Sequence, residues 1–276
     1  MKVTKYSGEL VHYDKQKLIN SLEKSGASSA VISSILAIIE TKLYEGIPSK
    51  QIYKLAFQLL KKNSSNVHAA RYNLRTGILK LGPAGFFFEK FIAKVFQEQQ
   101  FETKTNLTLN GNCVSHEIDV LLKKQDRISM VECKFHSGQD VKSDVKIPMY
   151  ILSRFNDLKS KKHLLFLPNE IISQCILVSN NRFTTDAIQF GTCSGIQMLS
   201  WDYPPNNGIK DFVDLFGIYP ITCLTTLSQF EKDKLLILDC ITVKDLIVNP
   251  SHLHALEISH NRIKNILKEA NQLLKI

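Results

Sequence analysis

Asp119, Glu132 and Lys134 are residues whose types and spacing could do chemistry. They fall within His116–His136, a stretch that reads as two strands joined by a polar turn at Gln125-Asp126-Arg127. Side chains alternate faces along a strand. In the first strand Ile118, Val120 and Leu122 share one face, and Glu117, Asp119 and Leu121 the other. In the second, Val131, Cys133 and Phe135 lie opposite Glu132 and Lys134. Paired as a hairpin, the polar face gathers Asp119, Glu132 and Lys134. Unpaired charge is expensive to bury, so the grouping needs a reason. Two remain open. One is a salt-bridged, solvated sheet face. The other is a divalent metal site, with two carboxylate ligands and a lysine that orients or activates a water.

The surrounding pattern supplies elements to position these groups. "GFFFEKFIAKVFQEQQ" predicts a helix with an apolar stripe of Phe88, Phe91, Ile92, Val95 and Phe96, and with Glu89 at its edge. "FETKTNLTL" predicts a strand before the hairpin, and a helix follows over about residues 141–159. On that helix Lys142, Lys146 and Tyr150 fall on one face, being four residues apart. "CILVSNN", "FTTDAIQFGTC" and "IQMLSW" then predict strand, helix and strand. The order αβββαβαβ implies a mixed sheet with helices packed on it. His136 shares the face of Glu132 and Lys134, whereas His116 falls on the face away from Asp119.

On either side the pattern changes. "VTKYSGELVHYDKQKL" predicts a short hairpin turning at Ser7-Gly8 and a helix capped by Asp14. Helical periodicity follows to about residue 80, with Gly26 and Gly46 as expected C-caps, Ser28, Ser29 and Ser49 as expected N-caps, and "NVHAARYNLRTGIL" as a fourth helix. "DYPPNNG" reads as a linker, and the tail as short helices starting at Ser228, Thr242, Asn249-Pro250 and Ser259. The expected fold class is therefore α/β in the α+β sense. Three domains are expected, over residues 1–80, 82–203 and 204–276.

The chain has 276 residues, 44% of them hydrophobic, and a net charge of +9. It shows no apolar run of transmembrane length and no signal-peptide pattern, which points to a cytoplasmic protein without a membrane partner. Its six cysteines lack CxxC spacing and read as reduced core residues rather than zinc ligands or disulfides. Residues 1–80 hold thirteen Lys and Arg against five Asp and Glu, while the rest of the chain is nearly neutral. A polyphosphate or nucleic-acid partner is expected there first.

The pieces "GFFFEKFIAKVF", "HEIDVLL", "VECKFH" and "NNRFTTDAIQF" resemble, in that order, the Mrr-like restriction endonuclease group of the PD-(D/E)XK superfamily. The resemblance spans about residues 82–203. It implies a restriction- or defence-type DNA endonuclease, dependent on Mg²⁺ or Mn²⁺, that hydrolyses phosphodiesters. Asp119, Glu132 and the backbone carbonyl of Cys133 would hold the metal. Lys134 would position the attacking water, and Glu89 would complete the acidic cluster. His136, Lys142, Lys146 and Tyr150 are candidate DNA contacts. A homodimer would cut both antiparallel strands most simply. The alternative is a nucleotide-sensing DNA-binding regulator with an inactive nuclease fold.

"VTKYSGELVHYDKQKLINSLEKSG", "IPSKQIYKLAFQLL" and "HAARYNLRTGI" resemble the ATP-cone, a nucleotide-binding regulatory domain. That resemblance implies ATP or dATP as ligand, with Val3, Lys5, Gly8 and Lys17 at matching positions. Tyr6 stands where the family usually has arginine. The tail has the rhythm of helix-hairpin-helix modules, with Glu257 in place of the expected glycine, and it reads as a packing or dimerisation module.

Overall fold

The computed structural model describes residues 1–275 of the chain. These residues form two compact units, one of residues 1–78 together with the segment from 219 onward, the other of residues 79–218. The fold is α+β, as the order of predicted elements implied.

The first unit begins with β1 (Lys2–Thr4) and β2 (Leu10–His12), an antiparallel hairpin with Val3 opposite Val11. Its turn carries Gly8 at φ 87°. Helix α1 (Lys15–Lys24) starts where expected, because the Asp14 carboxylate accepts from the Gln16 and Lys17 amides. Helix α2 (Ser29–Glu40) is capped by Ser28. It stops six residues before Gly46, so that glycine serves the turn into β3 (Ile47–Pro48) rather than the helix end. β3 extends the hairpin, parallel to β1. Helix α3 (Ser49–Asn63) follows. The expected fourth helix is two, α4 (Asn66–Tyr72) and α5 (Leu74–Leu79), interrupted at Asn73. Leu22, Ile35, Ile39, Ala56 and Leu60 are fully buried between these helices.

The second unit opens with α6 (Phe86–Gln97). Then come β4 (Glu102–Asn110), β5 (Ser115–Lys124) and β6 (Arg127–Lys134), the short β7 (Lys142–Ser143), and α7 (Lys146–Leu158). β8 (Gln174–Ser179), β9 (Arg182–Phe183), α8 (Thr185–Cys193), β10 (Gln197–Leu199) and α9 (Ile209–Phe216) complete it. The main sheet has the order β10-β8-β6-β5-β4 and is mixed, antiparallel across β4-β5-β6 and parallel across β6-β8-β10. The apolar stripe of α6 is buried as its period demands, with Phe88, Phe91, Ile92 and Val95 at 0% exposure. Each such side chain contributes about 1.5–3 kcal/mol by leaving water. Ile151 and Leu158 of α7 bury against Leu121, Met130 and Leu177 in a second cluster.

Two sequence expectations change here. Lys142 lies in β7, paired parallel with Arg182 of β9, and not on a helix. The helix begins only at Lys146, because residues 142–143 have a strand partner. The segment read as a linker is a tight loop, in which the Ser200 amide donates to the Tyr203 carbonyl and the Ile209 amide to that of Ser200. The compact unit accordingly continues through α9, whose Ile209 and Val213 are buried.

The chain then returns to the first unit with α10 (Gln229–Ile237), α11 (Val243–Val248) and α12 (His260–Leu274). Capping boxes at Ser228/Glu231 and Thr242/Asp245 start the first two, at the expected positions. Glu257, where a glycine was expected, has φ 55°, the left-handed conformation that glycine favours. This segment is joined to the N-terminal one by polar contacts. The Thr222 hydroxyl donates to the Gly77 carbonyl (2.6 Å) and the Lys61 ammonium to that of Thr225 (2.9 Å). A Cβ on Gly77 would lie 2.6 Å from the Cys223 sulfur, so only glycine permits this approach. Cys175, Cys223 and Cys240 are buried, as the core reading expected, but Cys113 and Cys193 are exposed.

Candidate active site

The hairpin forms as the sequence suggested. Lys124 pairs with Arg127 around the two-residue turn Gln125-Asp126, and Val120 stands opposite Val131. The ladder ends at that pair, and Asp119 and Glu132 are the next residues on the two strands. Here the strand departs from simple alternation. The ladder to β4 skips Asn106 and Asp119, with Asn106 at φ 55°, and Ile118 and Leu121 both enter the core cluster that includes Ile151. The expectation that Ile118 shares a face with Val120 and Leu122, and Asp119 with Leu121, therefore fails at Asp119, where the backbone irregularity resets the alternation.

Asp119 is half-buried, and its Oδ2 accepts the Cys133 amide hydrogen at 2.7 Å, which fixes the carboxylate across the two strands. Burial raises its pKa, against the lowering effects of that hydrogen bond and of Arg154. Glu132 is raised too, first by burial and then by the Asp119 charge, despite Arg154 beside it. Glu89 approaches from the first turn of α6. Its carboxyl is pushed up to about 7 by burial, then by the charges of Asp119 and Glu117. The three expected carboxylates thus stand close enough to disfavour one another's ionisation. Gly85, at φ 88°, opens the helix beside them, and a Cβ there would meet Glu89 Oε1 at 3.3 Å and Phe135 Cβ at 3.7 Å.

Lys134, at the end of β6, is exposed and forms no hydrogen bond or ion pair among the described residues. It follows Glu132 by two positions on β6, and its charge acts on His136. The residue that engages the acidic group was missed by the sequence reading. Arg154, from α7, donates from Nη1 to Glu132 Oε2 at 2.5 Å and from Nη2 to the Glu117 carbonyl. It is 9% exposed, and its Nε is buried without a hydrogen-bond partner among the described residues. The signal was present, since Lys146, Tyr150 and Arg154 continue one four-residue spacing along the helix. The Tyr150 ring lies 5.6 Å from the guanidinium, while Lys146 and Tyr150 themselves are exposed.

Other candidates take structural positions. His136 is half-buried, with Nε2 2.8 Å from Ser143 Oγ, and its backbone is clamped at both ends by the Asn180 side chain at 2.8 Å. Burial and nearby Lys134 lower its pKa. His116 lies away from the acidic group, as expected, with Nε2 2.8 Å from Asp157 Oδ2. Asp157 also accepts the Cys113 and Val114 amide hydrogens, and these contacts, that with His116 first, hold its carboxyl well below the usual range.

In the first unit a cavity of about 290 Å³ opens between the hairpin and the helices. Val3, Lys5 and Lys17 line it, as expected, but Gly8 does not and serves the turn. Lys5 pairs with Glu9 at 2.8 Å and Lys17 with Asp14 at 3.5 Å, all at the surface. Tyr53 and Tyr72, stacked with ring centroids 4.8 Å apart, form an aromatic wall. Tyr6, at the position of the missing arginine, is exposed, with the Lys50 ammonium 5.7 Å from its ring.

An uncharacterised protein of Archaeoglobus fulgidus is 30% identical to this chain over 184 residues, 66% of this chain and 99% of that protein. The chain belongs to the AF1548-like family. Residues 219–274 match the family model described as AF1548-like, C-terminal, and residues 1–76 match the ATP cone domain. The crystal structure of the protein of unknown function AF1548 superposes with a TM-score of 0.57 at 29% identity, over 69% of this chain and 98% of that one. This AF1548-like protein therefore carries an ATP-cone at its N-terminus. The basic charge excess and the lysine-rimmed cavity both lie in that segment. Among the described residues no helix is long and apolar enough to cross a membrane.

Proposed function

We propose that this AF1548-like protein is a divalent-metal-dependent DNA endonuclease of the restriction type, regulated by a nucleotide at its ATP-cone. The observation that carries the nuclease reading is the meeting of Glu89, Asp119 and Glu132, whose charges act on one another; Lys134, two positions after Glu132 on the same strand, is the candidate cation.

The donor set suits Mg²⁺ or Mn²⁺. Mg²⁺ binds through one or two carboxylates and keeps several waters, rather than filling a dedicated protein cage. Asp119 and Glu132 supply that pair, with the Cys133 carbonyl as a further oxygen. Among the described residues no group of three or more His, Cys, Asp or Glu is arranged to hold an ion, so the metal reading rests on the two carboxylates and the Cys133 carbonyl. The mutual raising of the carboxyl pKa values is what a bound cation relieves. When bound, the metal supplies an acidified water and neutralises phosphate charge. Lys134 orients that water and stabilises charge on the phosphate. Asp119 is held for its role by the Cys133 amide. Glu89 acts as a neighbouring acid rather than a primary ligand. Lys146 and Tyr150 present a cation and a ring to the DNA, and a homodimer serves the two strands.

One observation favours a second reading. Arg154 already gives Glu132 a positive partner, as an inert, charge-compensated nuclease fold in a nucleotide-sensing DNA-binding regulator would have. A nicking assay on supercoiled plasmid, with and without Mg²⁺, decides between the two. A methylated, unmodified and branched DNA panel extends it. Metal-dependent nicking abolished by Asp119→Ala supports the nuclease. DNA retention without nicking on any substrate supports the regulator.

A further inference from the structure

A larger cavity, of about 720 Å³, opens within the second unit. Ile176 of β8 and Leu199 of β10 form its floor, on the sheet face opposite the cluster that buries Cys175 and Leu177. Four aromatic rings join them. Phe96 and Phe101 meet edge to face with centroids 5.5 Å apart, and Tyr203 and Phe212 add two more. The cavity is remote from the acidic group. Arg127, which lines it, opens β6, and Glu132 follows five residues later, about 17 Å away at strand spacing.

Its charged lining is of one sign. Lys124 and Arg127 are cations, and no Asp or Glu among the described residues lines the cavity. Asp126, between them in the turn, does not line it, and its charge acts on Lys123. Lys124 is engaged, since its ammonium donates to the Gln99 carbonyl at 2.8 Å and lies 5.0 Å from the Phe101 ring. Arg127 is exposed, and its guanidinium forms no hydrogen bond or ion pair among the described residues. Carboxamides complete the lining. The Ser129 hydroxyl donates to Gln174 Oε1 at 3.1 Å, which orients the Gln174 amide and leaves its NH₂ group as a donor that is not enclosed by protein. Gln197 and Asn207 are exposed beside it.

This volume falls within the range of small-molecule sites, which combine apolar and aromatic walls with a few polar groups. The rings and branched side chains suit a flat apolar body. The carboxamides can bond polar atoms at its edge. A guanidinium offers two parallel bonds to a carboxylate, sulfonate or phosphate, and a lining without acids favours an anion. We propose that this cavity is a ligand site for a small molecule with a flat aromatic ring and one anionic group, the anion meeting Arg127. The proposal stands apart from the nuclease and ATP-cone readings. A nucleoside monophosphate and an aromatic carboxylic acid share that chemistry, and competition separates them.

The test is fluorescence titration of the full-length protein with anilinonaphthalene sulfonate and with uncharged anilinonaphthalene, the same rings without the anion, for wild type, Arg127→Met and Gln197→Phe. Wild type is expected to bind the sulfonate saturably. Arg127→Met is expected to lower affinity for the sulfonate about tenfold, the worth of a hydrogen bond to a charged group, and to leave the uncharged dye unaffected. Gln197→Phe, which puts a ring into the cavity, is expected to weaken both dyes. Both replaced side chains are exposed, so melting temperatures without dye are expected to stay unchanged. Should Gln197→Phe melt lower, Arg127→Met decides alone. Competitors are read on the binding that Arg127→Met weakens. Displacement by adenosine monophosphate assigns a nucleotide, and displacement by indole carboxylate an aromatic acid. Displacement by neither overturns the ligand class. No saturable binding, or binding that neither variant weakens, overturns the site. Equal loss of both dyes in Arg127→Met overturns the anion contact.

Discussion

Arg154 Nη1 stands 2.5 Å from Glu132 Oε2, with 10% and 17% of the two side chains exposed. The same guanidinium bonds the Glu117 carbonyl, so a single side chain of α7 fastens both β5 and β6. This planar two-pronged contact is one that lysine cannot reproduce. Removing one partner of a buried ion pair leaves an uncompensated charge, at about 3–5 kcal/mol. Arg154→Met should therefore destabilise the second unit by about 3 kcal/mol in denaturant unfolding, with Arg154→Lys recovering only part. A loss below about 1 kcal/mol would show that the pair is solvent-screened.

The acidic group also makes stability depend on pH. Glu89 has a folded pKa of about 7, above its ordinary value of 4.5. A carboxyl raised on folding contributes fully below the unfolded pKa, and that contribution is lost as pH rises through the folded one. With chelator present, stability should therefore fall between about pH 4.5 and 7, and Glu89→Gln should flatten that fall. Divalent metal should raise the melting temperature more at pH 8 than at pH 5, because binding needs deprotonated ligands. A pH-independent response to metal would separate the carboxylates from metal binding.

The proposed chemistry divides the site by role. Asp119→Ala should lose metal binding in a calorimetric titration. Lys134→Ala should keep metal and DNA binding yet lose cleavage, by about 10²–10³-fold if it stabilises developing charge. Full cleavage by Lys134→Ala would remove the assignment. Glu89→Gln should weaken activity less than Glu132→Gln, and equal losses would promote Glu89 to a primary ligand.

Charge in the first unit allows a further discrimination. If Lys5 and Lys17 meet a nucleotide, their alanine variants should weaken ATP or dATP uptake, with only a shallow salt dependence. If the basic segment instead grips duplex DNA, affinity should fall with a log–log slope of about one per neutralised phosphate, and free nucleotide should compete poorly.

Local signals were legible in the sequence. Asp14, Ser28, Ser228 and Thr242 each start a helix through a hydrogen bond to an amide two or three residues on, a relation contained in the local chain. The α6 stripe and the β5–β6 turn are local in the same way. Relations between distant segments were not legible. Lys142 became a strand residue because β9 lies beside it, forty residues later in the chain. Arg154 shares the four-residue spacing of Lys146 and Tyr150, but that it reaches Glu132, twenty-two positions away, depends on how α7 packs on the sheet. The irregularity at Asp119 depends on Asn106, a residue of the neighbouring strand.

The division of the first unit between the two ends of the chain has a consequence for biosynthesis. Residues 1–78 are synthesised well before the helices of the segment from 219 onward, with which they pack. At about 5–20 residues per second, the intervening and closing segments take roughly 10–40 s to appear. Through that interval the second unit, continuous in sequence, can complete its fold, while the N-terminal segment waits with the Gly77 face uncovered. Nascent-chain proteolysis should find residues 79–218 protected before residues 1–78. The first unit therefore completes its packing after the second, once the segment from 219 onward has been made.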